Sequence, residues 1–187
     1  CTELRHVELN EGLEVLGTNG RLSGDLYYCG AFENSAVEEV RLPSTLRKIE
    51  YSAFQGCEKL KRIRLPDALE TIERNAFRAS GLEEFVAPPS LRTIGQSAFS
   101  ECKSLKRVVL NEGLETLGTD EYPENGAYYG VFEDSAVEEV VLPQTLRRIE
   151  YSAFQNCKSL GRVTLPEALC KIGDRGFQGS GVQEVAI

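Results

Sequence analysis

Seven phenylalanines set a beat on this chain. Phe32, Phe54, Phe77, Phe99, Phe132, Phe154 and Phe177 follow one another at steps of 22, 23, 22, 33, 22 and 23 residues. A recurrence of that length is the sequence mark of a repeat architecture, in which one short supersecondary unit cannot bury its apolar face alone and must stack on copies of itself. This constrains the fold before any propensity is weighed.

Between the phenylalanines runs a second pattern, apolar-x-x-apolar-x-apolar. Its copies are LRHVEL from Leu4, VEEVRL from Val37, LKRIRL from Leu60, LEEFVA from Leu82, LKRVVL from Leu105, VEEVVL from Val137, LGRVTL from Leu160 and VQEVAI from Val182. The closing alternation of apolar and polar residues predicts a short strand with one face inward. Proline follows five of the eight copies (Pro43, Pro66, Pro88, Pro143, Pro166) and ends the ladder, because it has no N–H to give. A second apolar pair comes next, such as Leu46 and Ile49, and then Ala-Phe, where a short helical or 3₁₀ piece is expected. The fold class that follows is an α/β solenoid of eight short parallel strands, with short helical and extended turns on the opposite side.

The consensus C-x-x-L-x-x-I-x-L-P-x-x-L-x-x-I-x-x-x-A-F resembles the BspA-like class of leucine-rich repeats, and CEKLKRIRLPDALETIERNAF, from Cys57 to Phe77, follows it nearly position for position. Departures are small: Ala87 replaces the last apolar strand residue, and Gly176 stands in the alanine slot before Phe177. The resemblance covers essentially the whole chain. It implies a leucine-rich-repeat fold, surface display or secretion in bacteria or protists, and binding to other proteins or host cells. It implies no catalytic residues.

A longer period overlies the short one. AVEEVRLPSTLRKIEYSAF, from Ala36 to Phe54, recurs one hundred positions later as AVEEVVLPQTLRRIEYSAF, with three differences. The array therefore reads as one domain, 1–187, made of two blocks at about 1–100 and 101–187. Each block carries an insertion, at about 18–29 and 119–129. Cys1 matches Cys102, and the last strand ends at Ile187 in the slot of Ala87. Both ends fall within a repeat and no polar capping unit is visible, so a segment of a longer array is the expectation.

Six cysteines need placing. Cys1, Cys57, Cys102 and Cys157 share one repeat position, and Ser35, Ser80, Ser135 and Ser180 hold it in the alternate repeats. Like members then lie two strands apart, about 9–10 Å, beyond the roughly 7 Å between Cα atoms that a disulfide spans. They are expected as small buried side chains rather than bridges. Cys29 and Cys170 fall outside the column and are the expected exposed thiols. With no C-x-x-C and a single histidine, His6, no metal site and no cofactor are expected.

Polar strand positions define the outward face. The third residues run His6, Glu39, Arg62, Glu84, Arg107, Glu139, Arg162 and Glu184, alternating in sign from strand to strand. With neighbours about 4.8 Å apart, each carboxylate is expected beside a guanidinium on both sides, fixing the register of the coils. The fifth residues change character: Glu8, Arg41 and Arg64 give way to Val86, Val109, Val141, Thr164 and Ala186. A strip of outward valines marks an interaction site or only the preference of β-branched residues for strands. Candidate binding residues on this face are Val86, Val109, Val141, Arg62, Arg64, Arg107, Glu139 and Arg162. The inserted loops offer Tyr27, Tyr28, Tyr128 and Tyr129, tyrosine being enriched at interfaces.

Some classes are disfavoured. The net charge of −8 repels phosphate backbones, which argues against nucleic acid. No apolar run approaches the about eighteen residues of a membrane span. Paired glutamates such as Glu38–Glu39 do not converge on a bond, no phosphate loop is present, and no catalytic residues are expected. Two functions remain: a scaffold holding a protein or glycoprotein partner, at a cell surface or after secretion by the family resemblance, or a structural subunit packed permanently in a larger assembly.

Overall fold

The computed structural model describes residues 3–17, 30–119 and 129–186. Its strands are β1 (His6–Glu8), β2 (Val15–Leu16), β3 (Glu39–Arg41), β4 (Lys48–Ile49), β5 (Thr71–Ile72), β6 (Glu84–Val86), β7 (Thr93–Ile94), β8 (Arg107–Val109), β9 (Thr116–Leu117), β10 (Glu139–Val141), β11 (Arg148–Ile149), β12 (Arg162–Thr164), β13 (Lys171–Ile172) and β14 (Glu184–Ala186). All pairings are parallel, and each joins equivalent residues of successive coils. The chain is thus a leucine-rich-repeat-type solenoid, as the period requires.

Each coil contributes to two faces. The three-residue strands form the first, in the order β1–β3, β6–β8–β10 and β12–β14. The two-residue strands form the second, in the order β2–β4–β5–β7 and β9–β11–β13. This second face is the apolar pair that follows the proline, with Ile49, Ile72, Ile94, Leu117 and Ile149 turned fully inward. Among the described residues there is no helix, and hence none long and apolar enough to cross a membrane.

The Ser-Ala-Phe corner is a turn, where a helical or 3₁₀ piece was expected. The amides of Ala53, Gln55 and Cys57 donate locally, to the carbonyls of Glu50, Ser52 and Phe54. Those between them, of Ser52, Phe54 and Gly56, donate instead to Arg74, Ala76 and Arg78 of the next coil, at 3.1, 2.7 and 2.8 Å. Ser52 and Gly56 are left-handed, with φ of 53° and 67°, which interrupts any right-handed run. Every second amide therefore ties coil to coil, and a helix would leave those bonds unmade.

The core is a set of columns along the solenoid axis. The phenylalanine rings stack nearly parallel from Phe32 to Phe177, with centroids 5.2–5.5 Å apart. Offset stacking at this spacing adds to the burial of each ring. Phe85 packs its ring 4.3 Å from that of Phe99, two residues before the short Ala87. The cysteine column behaves as its spacing predicts. Cys57, Cys102 and Cys157 are buried and free, and their thiols donate to the carbonyls of Phe32, Phe77 and Phe132 at 3.0–3.1 Å. Each thiol also lies 3.5 Å from the hydroxyl of Ser35, Ser80 or Ser135 on the coil before. Cys170 is exposed, as expected, whereas Cys1 and Cys29 lie outside the described residues.

Candidate functional site

Alternation within the three-residue strands builds the outward face of the first sheet. In β3, β6, β10 and β12 the central residue is buried and its neighbours are exposed. Parallel pairing then sets Arg107 between Glu84 and Glu139, and Val109 between Val86 and Val141. Five of the candidate residues thus form two adjacent rows on one three-stranded sheet together with Glu84.

The charged row neutralises itself there. Arg107 reaches Glu84 at 2.5 Å on one side and Glu139 at 3.4 Å on the other. Lys106 pairs with Glu138 at 3.1 Å, Arg162 with Glu184 at 3.4 Å and Arg5 with Glu38 at 3.4 Å. These pairs are exposed, so each contributes at most about 1 kcal/mol. Their main effect is to specify register. The valine row is not covered. Val86 and Val141 are 52% and 42% exposed, while Val109 between them is half-buried.

The ladder of charges fails at the third coil. Arg62 was expected between Glu39 and Glu84. Glu39 instead turns to Arg41 on its own strand and to His6, each at 3.5 Å, and Glu84 is held by Arg107. Among the described residues, neither Arg62 nor Arg64 has an ion pair. The backbone fails at the same place. Residues 62–65 form no strand and no backbone hydrogen bond to either neighbouring coil, and only the Lys61 carbonyl is used, accepting from Glu83 at 3.0 Å. At the equivalent point of other coils, Leu9, Leu110 and Leu165 donate across at 3.0, 3.0 and 2.8 Å, whereas Leu42 and Leu142 do not, and β10 and β12 are likewise not hydrogen-bonded to each other. The first sheet is therefore open around residues 62–65. Clefts of about 700 and 660 Å³ flank them, the first against Val86, Pro88 and Pro89, the second against Arg41, Leu42 and Ser44. Sequence reasoning named both arginines but missed the opening. The available signal was Arg41 beside Arg64 at the fifth position, two like charges on successive coils.

The loop candidates divide. Tyr27, Tyr28 and Tyr128 lie outside the described residues. Tyr129 is 41% exposed, with the Arg78 guanidinium 5.8 Å from its ring centre. Both insertions leave the solenoid just after strands of the second sheet, β2 and β9, so their anchors are not on the valine-bearing face. Among the described residues no group of three or more His, Cys, Asp or Glu side chains converges to hold a metal.

Comparison with known proteins agrees with this construction. Six copies of the family model described as "BspA type Leucine rich repeat region" match residues 28–124 and 127–187. A leucine-rich repeat protein from Bacteroides ovatus superposes with a TM-score of 0.79 at 28% identity, covering 95% of this chain and 42% of that one. The T. pallidum leucine-rich repeat protein gives 0.71 at 32% identity, covering 91% of this chain and 73% of that one. A leucine-rich repeat protein from Eubacterium ventriosum, at 24% identity, a TM-score of 0.56 and coverage of 75% of this chain and 42% of that one, shares the fold. The chain thus spans less than half the length of the B. ovatus protein. No curated protein matches it. With its period, its coil-to-coil register and these matches in agreement, the chain belongs to the BspA-type leucine-rich repeat family.

Proposed function

We propose that this chain is a recognition scaffold, holding a protein or glycoprotein partner on the outward face of its first sheet. The observation that carries this reading is the row Val86–Val109–Val141. It lies in register on three hydrogen-bonded strands, is exposed at both ends, and runs beside charges that already satisfy one another. A partner covering the row buries apolar surface worth about 25 cal/mol per Å² and leaves no new unpaired charge at Arg107 or Glu139. The family resemblance supports display at a cell surface or secretion, where such a face meets foreign molecules. The ion pairs of Arg107 with Glu84 and Glu139 make Val86, Val109 and Val141 the anchors and the charged row the rim.

The test is the double variant Val109→Asp/Val141→Asp, compared with the parent chain for binding to immobilised serum and matrix glycoproteins. Both residues lie on the outward face, so the variant should still fold, with a small loss of stability from two facing aspartates, while any binding of the parent chain is lost. Equal binding by variant and parent would discard the valine row. Size-exclusion chromatography separates the competing function: a free monomer fits a recognition module, and recovery only within a larger complex fits a structural subunit.

A further inference from the structure

We propose that the opening of the first sheet at the third coil is a groove for an extended acidic segment of a partner protein, with carboxylates two residues apart pairing with Arg62 and Arg64. This deepens the reading of the first sheet as the partner-binding face and rests on it.

Three observations meet at this place. First, two guanidinium groups stand without carboxylate partners on a face where Arg5, Arg107 and Arg162 each have one. Their unpaired state has a visible cause, because the flanking Glu39 and Glu84 are held by other residues. Of the other carboxylates along the 700 Å³ cleft, Glu83 lies 3.7 Å from Lys61, leaving Asp67. A guanidinium is weakly hydrated and presents a fork of donors, which suits it to a carboxylate brought by another chain. Second, the backbone amides and carbonyls of 62–65 are not used within the array, so an extended segment finds main-chain donors and acceptors beside it, as in strand addition to an open edge. Third, the facing wall is Val86, Pro88 and Pro89. The prolines lack amide hydrogens, so this wall offers apolar contact rather than a competing ladder.

Geometry sets the spacing. Arg62 and Arg64 flank Ile63 and are both exposed, with Ile63 half-buried between them, which places their side chains on one side about 6.6 Å apart along the chain. Carboxylates at alternate residues of an extended segment match that distance. The rest of the molecule, at net charge −8, repels such a segment, so the groove is where an acidic chain can settle. The second block supplies a natural contrast. There Arg162 is held by Glu184, Thr164 stands in place of Arg64, Val141 stands in place of Arg41, and β12 pairs in register with β14. Backbone pairing is also absent between β10 and β12, so what sets the first block apart is the two arginines without ion pairs and an opening on both sides of residues 62–65.

The experiment uses the full chain and a fluorescein-labelled, end-blocked peptide, Val-Glu-Val-Glu-Val, followed by fluorescence anisotropy. A peptide with both glutamates replaced by glutamine and a heparin oligosaccharide serve as the other probes. The glutamate peptide should bind, and should bind at least tenfold more weakly to Arg62→Gln/Arg64→Gln and in high salt, with Arg162→Gln matching the parent chain. The glutamine peptide should bind at least tenfold more weakly than the glutamate peptide. Failure of the glutamate peptide to bind, equal binding of both peptides, or full binding by the double variant would overturn the proposal. Binding of heparin at these arginines without binding of the peptide would also overturn it, by assigning the site to a sulfated polysaccharide. Loss of peptide binding in the arginine variant, while the valine variant leaves glycoprotein binding intact, would keep the groove and remove the valine row. The reverse pattern would keep the row and remove the groove.

Discussion

Gly130→Ala should separate two coils, and its cost can be read from the contacts around it. A Cβ at Gly130 would stand 1.7 Å from the Ser152 carbonyl oxygen and 2.1 Å from its carbon, both backbone atoms of the next coil. Ordinary contact between such atoms is about 3.5 Å, so the coils must part by roughly 1.5 Å or more. That movement breaks the bonds from Phe132 N–H to Ala153 O and from Asp134 N–H to Gln155 O, both 2.9 Å. It also loosens the Phe132–Phe154 stack, now at 5.4 Å. The buried Phe132 amide left unsatisfied costs about 1–3 kcal/mol, the half-buried Asp134–Gln155 bond about 1 kcal/mol, and a weakened ring pair about 1 kcal/mol more. The expected loss is therefore about 4 kcal/mol, among the largest that point substitutions produce. Gly161→Ala is the matched control. Its Cβ meets nothing within 4 Å, so reduced freedom of the unfolded chain should stabilise it by about 0.4–1 kcal/mol. Guanidinium unfolding followed by circular dichroism measures both. A Gly130→Ala chain within about 1 kcal/mol of the parent, or equal losses at the two sites, would refute coil-on-coil packing as the source of stability.

Two further outcomes follow from the buried groups. Burial pushes the Cys102 and Cys157 thiols up to about 11 and raises that of Cys57 as well. Iodoacetamide at neutral pH should accordingly alkylate Cys170 and leave these three until the chain unfolds, as peptide mass spectrometry can show. Burial also raises the Glu133 carboxyl above its ordinary value, against the opposing hydrogen bond from the Gly130 amide. Because the folded state then holds this proton more tightly than the unfolded one, the stability it brings is complete below about pH 4.5 and is lost as pH rises through the folded value. Glu133→Gln should lack that slope, so the stability of the parent relative to the variant should fall between acid and neutral pH. A difference that is flat with pH would contradict the assignment.

Much of the architecture could be read because each coil repeats the same local pattern. The inward columns at Val40, Val108, Val140 and Val163, the phenylalanine stack and the alternation of cysteine with serine all follow from period and polarity. Three features could not be read that way. Strands such as Lys48–Ile49 are two residues long, too short to display alternation, so the second sheet looked like a turn. The Ser-Ala-Phe corner looked helical because its local amides do close short turns, but its other amides bond to a neighbouring coil, which no local window contains. The lack of an ion pair at Arg62 depends on which partners Glu39 and Glu84 take; Arg62 was available to both by spacing alone, and the outcome appears only when all the side chains are placed together.

Amide hydrogen exchange at Leu65 and Leu110, equivalent residues of the third and fifth coils, probes the open and closed parts of the first sheet side by side. Leu110 donates to Val141 at 3.0 Å and is buried, whereas Leu65 has no backbone partner. Exchange at Leu65 and its neighbours back to Arg62 should exceed that at Leu110 by on the order of 100-fold or more, and an added acidic peptide should slow it. Equal protection at the two leucines would mean that the sheet is continuous and that the face has no groove.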